Sequence, residues 1–455
     1  MAELGTKRSG VLLALAMLTI FVLVAGFVAV DLVASRPLPA VPYPVAHAQQ
    51  ETAAHLPGAD PVDPGRLADH LDDPMSDSGL GEGLSAYVAD AATGDGLFDR
   101  DAGRGAVPAS TTKIATALTV LEAAGPDRRI ATDAVLDGER LILVGGGDPT
   151  LTRDADPGTY PEPATLDRLA QSTARALEDQ GVDAVDLGYD DTLYPGPATG
   201  PGWKDNYVWE GSVAPVHALM IDGGREDEDD KYGDRVDDPP RVAADAFADA
   251  LRDEGVEVRG DPEPVAAPDG ADPVASVSSP PISALTEEML LASENNIAEA
   301  LARQTAIAEG EEPSFQGGSR AMTDVLDRLG IGGVELADAS GLSVDNRISP
   351  HALADMLLAA SDPDRPDLSS VLSGLPTGNF SGTLASRYDD SSGAGAGAGV
   401  VRAKTGTLSG VSTLAGTVYD ADGRLLVFAF MASGDGASGS GLDELAAAVA
   451  SCGCS

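Results

Sequence analysis

Three short motifs stand in order along this chain: Ser110-Thr111-Thr112-Lys113, Ser293-Glu294-Asn295 and Lys404-Thr405-Gly406-Thr407. Each alone arises by chance in chains of this length. Read together, they demand a fold that gathers residues 183 and then 111 positions apart into one cleft. The first motif carries a physical reason for its spacing. Ser110 opens a predicted helix over Ser110–Ala124, in which Ile114, Ala117, Leu118 and Leu121 recur at helical spacing before Gly125-Pro126 ends it. Lys113, one turn on, shares a face with Ser110. A Ser hydroxyl is a poor nucleophile unless a neighbouring base takes its proton. An ordinary Lys is protonated at neutral pH, so Lys113 must be buried or crowded by another cation, and Lys404 is the available one. Read alone, Ser110 is a helix-capping Ser and Lys113 a solvated helix residue; the other two motifs favour the chemical reading.

Ser293-Glu294-Asn295 interrupts two apolar helical runs, Leu285–Leu291 and Ile297–Ala308. A Ser and an Asn on such a turn can both face one cleft. Ser293 can relay a proton from Lys113 to a leaving amine, and Asn295 can donate and accept hydrogen bonds to a peptide. Lys404-Thr405-Gly406-Thr407 continues an apolar strand start. Extended backbone there can pair with an extended peptide, Gly406 clears room for close backbone approach, and Lys404 with the Thr hydroxyls suits a carboxylate. The plainer readings are a polar helix connection and an edge strand guarded by Lys.

Composition sharpens these motifs. Of 29 basic residues only five are Lys (Lys7, Lys113, Lys204, Lys231, Lys404), and two of those fall in the motifs. The net charge of −44 argues against nucleic acid as a partner and against a basic face for anionic lipid; otherwise it describes a strongly solvated surface. The His residues (His47, His55, His70, His217, His351) form no HExxH, no GxSxG occurs, and no Cys/His zinc spacing exists. Cys452 and Cys454 carry no assigned function; free thiols and a local disulfide are both open. Glu226–Asp230 lacks Ca-loop spacing and reads as a solvated loop. The Gly145 run and Gly393–Gly399 read as loops rather than phosphate cradles.

The chain divides by texture. Residues 1–10 form a basic cytoplasmic N-terminus. The apolar run 11–30 is long enough to cross a bilayer and reads as a transmembrane anchor, with a cleaved signal sequence as the alternative. The Pro-rich residues 31–61 are a linker. Either way the bulk is exported to the cell envelope. Residues 62–130 and 279–450 are expected to form two parts of one catalytic domain, separated by an inserted α/β segment at 131–278. That segment shows alternating helices (Leu166–Gln180, Arg241–Glu254) and strands (Glu139–Val144, Val182–Leu187, Val256–Arg259). Strands are also expected at Leu84–Asp90, Gly96–Asp99, Val400–Lys404, Thr413–Tyr419 and Leu425–Met431, with a closing helix at Gly441–Ala450. Residues 451–455 are a Cys-containing tail.

The three motifs, their order and their intervals resemble those of penicillin-recognising serine peptidases. The match is to the D-alanyl-D-alanine carboxypeptidase/endopeptidase family that carries a large insertion, the class C low-molecular-mass penicillin-binding proteins. Gly145–Thr150, Pro201-Gly202-Trp203, Ala214-Pro215, Asp338–Ser343 and Ser381–Leu384 extend the similarity over about residues 62–450. The resemblance implies an α/β (α+β) fold: an antiparallel sheet with helices on both faces, split by the insert, behind an N-terminal transmembrane helix. It implies Ser110 as acylated nucleophile, Lys113 as its base, Ser293 and Lys404 in proton transfer and electrostatics, and Asn295 on the peptide. Thr405, Gly406 and Thr407 would bind the substrate, with the N–H groups of Ser110 and Thr407 as oxyanion hole. Trp203 and Tyr207 are candidates for the cleft wall or for core.

The implied reaction is cleavage of the D-Ala–D-Ala bond, and of D,D-crosslinks, in peptidoglycan stem peptides, with β-lactams as covalent inhibitors and no cofactor. Alternatives are a serine β-lactamase and an inactive wall-binding protein of the same fold. One position departs from the pattern. The family carries an Arg after Ser-Gly-Leu-Ser that binds the side-chain carboxylate of a diaminopimelate-type residue; this chain has Val344, with Arg347 displaced. The resemblance then implies a stem peptide whose third residue is amidated or different.

Overall fold

The computed structural model describes residues 59–454, apart from 77–79, 82, 156–157, 228–229, 231–232 and 390. The expected cytoplasmic N-terminus, the apolar run 11–30 and nearly all of the Pro-rich linker lie outside the described residues. Among the described residues no helix is long and apolar enough to cross a membrane.

Helix α1 (Pro64–Met75) starts where Asp63 accepts from the Arg66 N–H and Pro64 takes the first helical position. The hairpin β1 (Ser85–Asp90) and β2 (Gly96–Arg100) follows. Its turn is held by Asp90, whose carboxylate accepts from the N–H groups of Ala92 and Thr93. A short 3₁₀ turn, Ala109–Thr111, opens into α2 (Thr112–Ala124).

The chain then builds a second sheet. It contains β3 (Ala131–Asp137), β4 (Arg140–Gly145), α3 (Leu166–Asp179), β5 (Ala184–Asp190), α4 (Pro239–Asp253), β6 (Glu257–Pro264) and β7 (Ala275–Ser278). The strand order is β6-β5-β4-β3-β7. β4, β5 and β6 run parallel, as strands joined through helices must, while β3 pairs antiparallel with β4 and β7. Leu141, Leu143, Leu169, Leu177, Phe247 and Leu251 form its own core. β3 and β7 were not expected. β7 is only Ala-Ser-Val-Ser, and pairing with β3 makes it a strand. Ala131 lies opposite Ser278, so the segment returns to the point at which it left.

The rest is helical, then sheet: α5 (Ile282–Ala292), α6 (Asn295–Glu309), α7 (Phe315–Arg328), the short pair β8 (Val334–Glu335) and β9 (Arg347–Ile348), α8 (Pro350–Ser361), β10 (Val401–Leu408), β11 (Val411–Tyr419), β12 (Leu425–Ser433) and α9 (Gly439–Ser451). The principal sheet has the order β10-β11-β12-β1-β2, every neighbouring pair antiparallel. Its central strands are apolar on both faces because both are covered. In β12, Val427, Ala429 and Met431 face a core shared with α2, α5, α6 and α8. Leu426, Phe428 and Phe430 face a second core with α1 and α9. Each of these side chains larger than Ala contributes roughly 1.5–3 kcal/mol on burial. Cys452 and Cys454 pair with each other, Cα atoms 5.2 Å apart. The tail is tied to α1 by Asp63 N–H to Cys454 O at 2.8 Å and by Arg66 to Gly453 O at 2.9 Å.

Candidate active site

The three motifs meet where α2, the α5–α6 turn and β10 converge. Ser110 sits in the 3₁₀ turn ahead of α2, not in the α-helix itself. Ala109, before it, takes φ +47°, a left-handed conformation rare for Ala. Thr111 and Thr413 both donate to Pro108 O at 2.7 Å, and Thr112 donates to Ala109 O at 2.8 Å, over-determining this strained turn. Two glycines let backbone crowd against it. A Cβ on Gly406 would meet Thr413 Oγ1 at 2.1 Å, Pro108 O at 2.7 Å and Ser110 N at 3.0 Å. One on Gly341 would meet Ala109 O at 1.9 Å. The sequence reading of Gly406 as a close-approach residue has this geometry behind it.

Lys113 is fully buried, and its Nζ donates to Ser110 Oγ at 3.2 Å, Asn295 Oδ1 at 2.7 Å and Ser340 O at 2.7 Å. Burial lowers its pKa to about 8, against the opposing charges of Asp338, Glu299 and Glu294. Of the two routes open from sequence, burial supplies the lowering. Lys404, equally buried, donates to Ser293 Oγ at 2.9 Å and to Thr405 O at 3.2 Å. Ser293 terminates α5 in the left-handed region at φ +63°, which turns its hydroxyl toward Lys404.

Asn295 differs from expectation in two ways. It begins α6 rather than lying on a loose turn, and both ends of its amide are engaged within the protein. Oδ1 accepts from Lys113, and Nδ2 donates to Ser212 O at 2.8 Å. Its neighbours grip the same 131–278 segment. Glu294 takes both contacts from Arg225 Nη2 at 3.1 Å. Asn296 accepts from Ala214 N–H at 3.0 Å and donates to Ala214 O at 3.2 Å. Three consecutive residues, the last two of the second motif and Asn296 after them, therefore bond to the 131–278 segment.

On β10, at the sheet edge, Thr405 Oγ1 and Thr383 Oγ1 are 3.0 Å apart. The Thr407 side chain is exposed, while its backbone is in register with Ser412. Trp203 and Tyr207 separate in role. Tyr207 is buried with Val213 and Leu342. Trp203 is partly exposed, meets Phe315 edge-to-face at 5.4 Å and donates its indole N–H to Asp338 at 2.7 Å. Val344 is 44% exposed. The Arg347 guanidinium folds back onto Val344 O at 2.6 Å and Asn346 O at 2.7 Å. The Gly145 run is tightly packed, since a Cβ on Gly146 would meet Ala131 O at 2.0 Å. Gly397 likewise lies against the Tyr388 ring. Among the described residues no cluster of His, Cys, Asp or Glu suits a metal ion.

Sequence reasoning missed the support around Lys113. Asp338 accepts from Trp203, Ser340 Oγ, Asn346 Nδ2 and the N–H groups of Gly341 and Ser343. Asn346 in turn takes the N–H of Ala337 at 2.7 Å. Buried Glu299 takes the N–H groups of Ala339 and Ser340. One signal for it was available: Glu299 and Arg303, four apart, sit inside the apolar run Ile297–Ala308.

The sequence profile of the D-Ala-D-Ala carboxypeptidase 3 (S13) family matches residues 67–229 and 225–451. A carboxypeptidase of Mycobacterium tuberculosis is 36% identical over 392 residues, covering 83% of this chain and 82% of that protein. The carboxypeptidase DacB of Mycolicibacterium smegmatis is 35% identical over 380 residues, with 82% and 81% covered. Penicillin binding protein 4 of Haemophilus influenzae shares the fold, with TM-score 0.67 at 21% identity over 84% of this chain and 97% of that one. With its profile match running from residue 67 to residue 451, the chain belongs to the D-Ala-D-Ala carboxypeptidase 3 (S13) family.

Proposed function

We propose that this protein is a serine-type D-Ala-D-Ala carboxypeptidase that cuts peptidoglycan stem peptides through an acyl-enzyme on Ser110. The observation that carries the reading is the pair of buried lysines, each on a motif serine: Lys113 on Ser110 at 3.2 Å and Lys404 on Ser293 at 2.9 Å. In its neutral form Lys113 takes the Ser110 proton as Oγ attacks the penultimate D-Ala carbonyl. The oxyanion forms between the N–H groups of Ser110 and Thr407, an arrangement worth several kcal/mol in general. Ser293, held by Lys404, passes a proton to the leaving D-Ala amine. Water then cleaves the ester by the reverse path. Lys404, Thr405 and Thr407 meet the terminal carboxylate, and Gly406 lets the strand come up to Ser110. Asn295 keeps Lys113 in place, its own amide fixed by Ser212 O.

The same site would hydrolyse D,D-crosslinks, whose scissile bond has the same acyl half. β-Lactams fit the reading because their strained amide presents a carbonyl to Ser110 beside a carboxylate. In this reading the catalytic domain comprises 62–130 and 279–450, the insert 131–278, and the apolar run 11–30 anchors the enzyme outside the cytoplasm by way of the linker. The engagement of Arg347 with its own loop and the exposed Val344 favour a stem peptide with an amidated or different third residue.

Intact mass spectrometry after penicillin treatment tests the core of this. One adduct of the drug's mass is expected, lost in Ser110→Ala; no adduct, or one retained in that variant, overturns it. Defined muropeptides before and after incubation then report which bonds are cut.

A further inference from the structure

Lys113 is held by more than its motif partners. The Ser340 carbonyl that accepts its ammonium at 2.7 Å belongs to a peptide unit whose N–H, that of Gly341, donates to Asp338 Oδ1 at 3.0 Å. The preceding peptide units are gripped by Glu299, whose Oε1 takes Ala339 N–H at 3.1 Å and Ser340 N–H at 2.9 Å. Glu299 is 1% exposed. Its other oxygen faces Arg303 Nη1 at 3.4 Å, and the Arg303 guanidinium lies 4.2 Å from the Phe315 ring centre. A buried carboxylate is costly unless its acceptor sites are filled. Here they are filled by the loop that carries the Lys113 acceptor.

From this geometry we infer that Glu299 is a positioning residue for the acylation step: it fixes the Ser340 carbonyl against Lys113, and its charge sets how strongly Lys113 holds a proton. The charged groups around Lys113 are Glu294 at the α5–α6 turn, Glu299 with Arg303 behind it on α6, Asp338 on the following loop, and Lys404 on β10. Glu294 is engaged by Arg225, and Asp338 by five donors. Glu299 lies one peptide unit from the carbonyl on Lys113. As Ser110 attacks, Lys113 becomes an ammonium in a site that burial makes hostile to charge. Glu299 and Asp338 offset that cost, and Lys113 sits near 8 in consequence.

The inference rests on the acylation chemistry proposed above, and its test separates the two. The second-order acylation rate with a fluorescent penicillin is measured from pH 6 to 10 in the wild type, Glu299→Gln and Thr116→Val. Removing the Glu299 charge favours neutral Lys113, so the rate midpoint in Glu299→Gln moves to lower pH by about one unit. The high-pH plateau falls, because a less basic Lys113 is a weaker proton acceptor. Thr116→Val removes a neutral bond to the same loop, Thr116 Oγ1 to Ala339 O at 2.7 Å. It lowers the rate at every pH and leaves the midpoint in place. Equal midpoints in Glu299→Gln and the wild type overturn the inference, whereas no acylation in any form overturns the proposed function instead.

Should Glu299→Gln not fold, the wild type supplies the measurement. With five lysines in the chain, the Lys113 side-chain resonance can be followed by ¹³C-lysine labelling. Burial and the Asp338 charge raise the Glu299 pKa well above the usual carboxylate range. The Lys113 resonance then shows a separate inflection as Glu299 ionises, ahead of its own titration, and a Lys113 resonance blind to Glu299 ionisation overturns the inference.

Discussion

Replacing Gly406 by Ala probes the contact on which the site is built. A Cβ there would sit 2.1 Å from Thr413 Oγ1, 2.7 Å from Pro108 O and 3.0 Å from Ser110 N, where ordinary contact begins at 3.4 Å. The Thr413 hydroxyl on β11 must swing away by about 1.3 Å, and relieving the Pro108 O overlap asks β10 or the Pro108–Ser110 turn to retreat by about 0.7 Å. The retreat also breaks the 2.7 Å bond from Thr413 to Pro108 O that steadies the turn. Overpacking of this kind costs about 1–3 kcal/mol of stability. The larger effect falls on rate, since a displacement of about 1 Å between reacting groups costs on the order of a hundredfold. Acylation of Ser110 by a fluorescent penicillin, read beside thermal unfolding, should show that loss with a modest drop in Tm. Adding Thr413→Ala removes the 2.1 Å overlap but leaves Pro108 O at 2.7 Å, so the double variant should recover part of the rate. Acylation of Gly406→Ala within twofold of the wild type, at unchanged Tm, would refute the reasoning.

Wild-type acylation should rise with pH through about 8, because Lys113 must shed its proton before it can act as a base; a flat profile from pH 6 to 10 contradicts this. Trp203→Phe keeps the ring against Phe315 but deletes the 2.7 Å bond to the Asp338 carboxylate, so urea unfolding should show a loss of about 1.5–3 kcal/mol. Asn296→Ala releases both backbone groups of Ala214; the expected result is acylation slowed at least tenfold, together with faster proteolysis near residue 212. Asp148 is buried, which raises its pKa from 3.8 to about 6. Its folded pKa exceeds the unfolded one, so its contribution is greatest below pH 3.8 and is lost as pH rises through about 6. Asp148→Asn should therefore stabilise the protein by about 1–3 kcal/mol at pH 8, with the advantage gone at pH 3.5 by thermal unfolding.

Most helices and the long strands were legible in the sequence because their signals are local. Helical spacing marked Leu166–Gln180 and Arg241–Glu254, an unbroken apolar run marked β12, and Asp422-Gly423 marked the turn that joins it to β11. β3 and β7 were not legible, since Ala-Ser-Val-Ser is a strand only when β3 supplies its hydrogen bonds. The 3₁₀ turn at Ser110 was read as helix for a similar reason. It is imposed by Gly341, Gly406 and Thr413 pressing from distant parts of the chain.

The chemistry of the site divides along the same line. The candidate nucleophile, base and relay were visible by themselves, because Ser and Lys at short spacings carry their chemistry in their atoms, and the scarcity of Lys made Lys113 and Lys404 conspicuous. What tunes them was not. Whether Lys113 is a base or an inert ammonium depends on its burial and on Asp338 and Glu299, and the Asn295 amide is oriented by the carbonyl of Ser212, 83 residues away. Proton affinity and amide orientation follow from solvent exclusion and from charges at ångström range, and only the folded chain sets those distances.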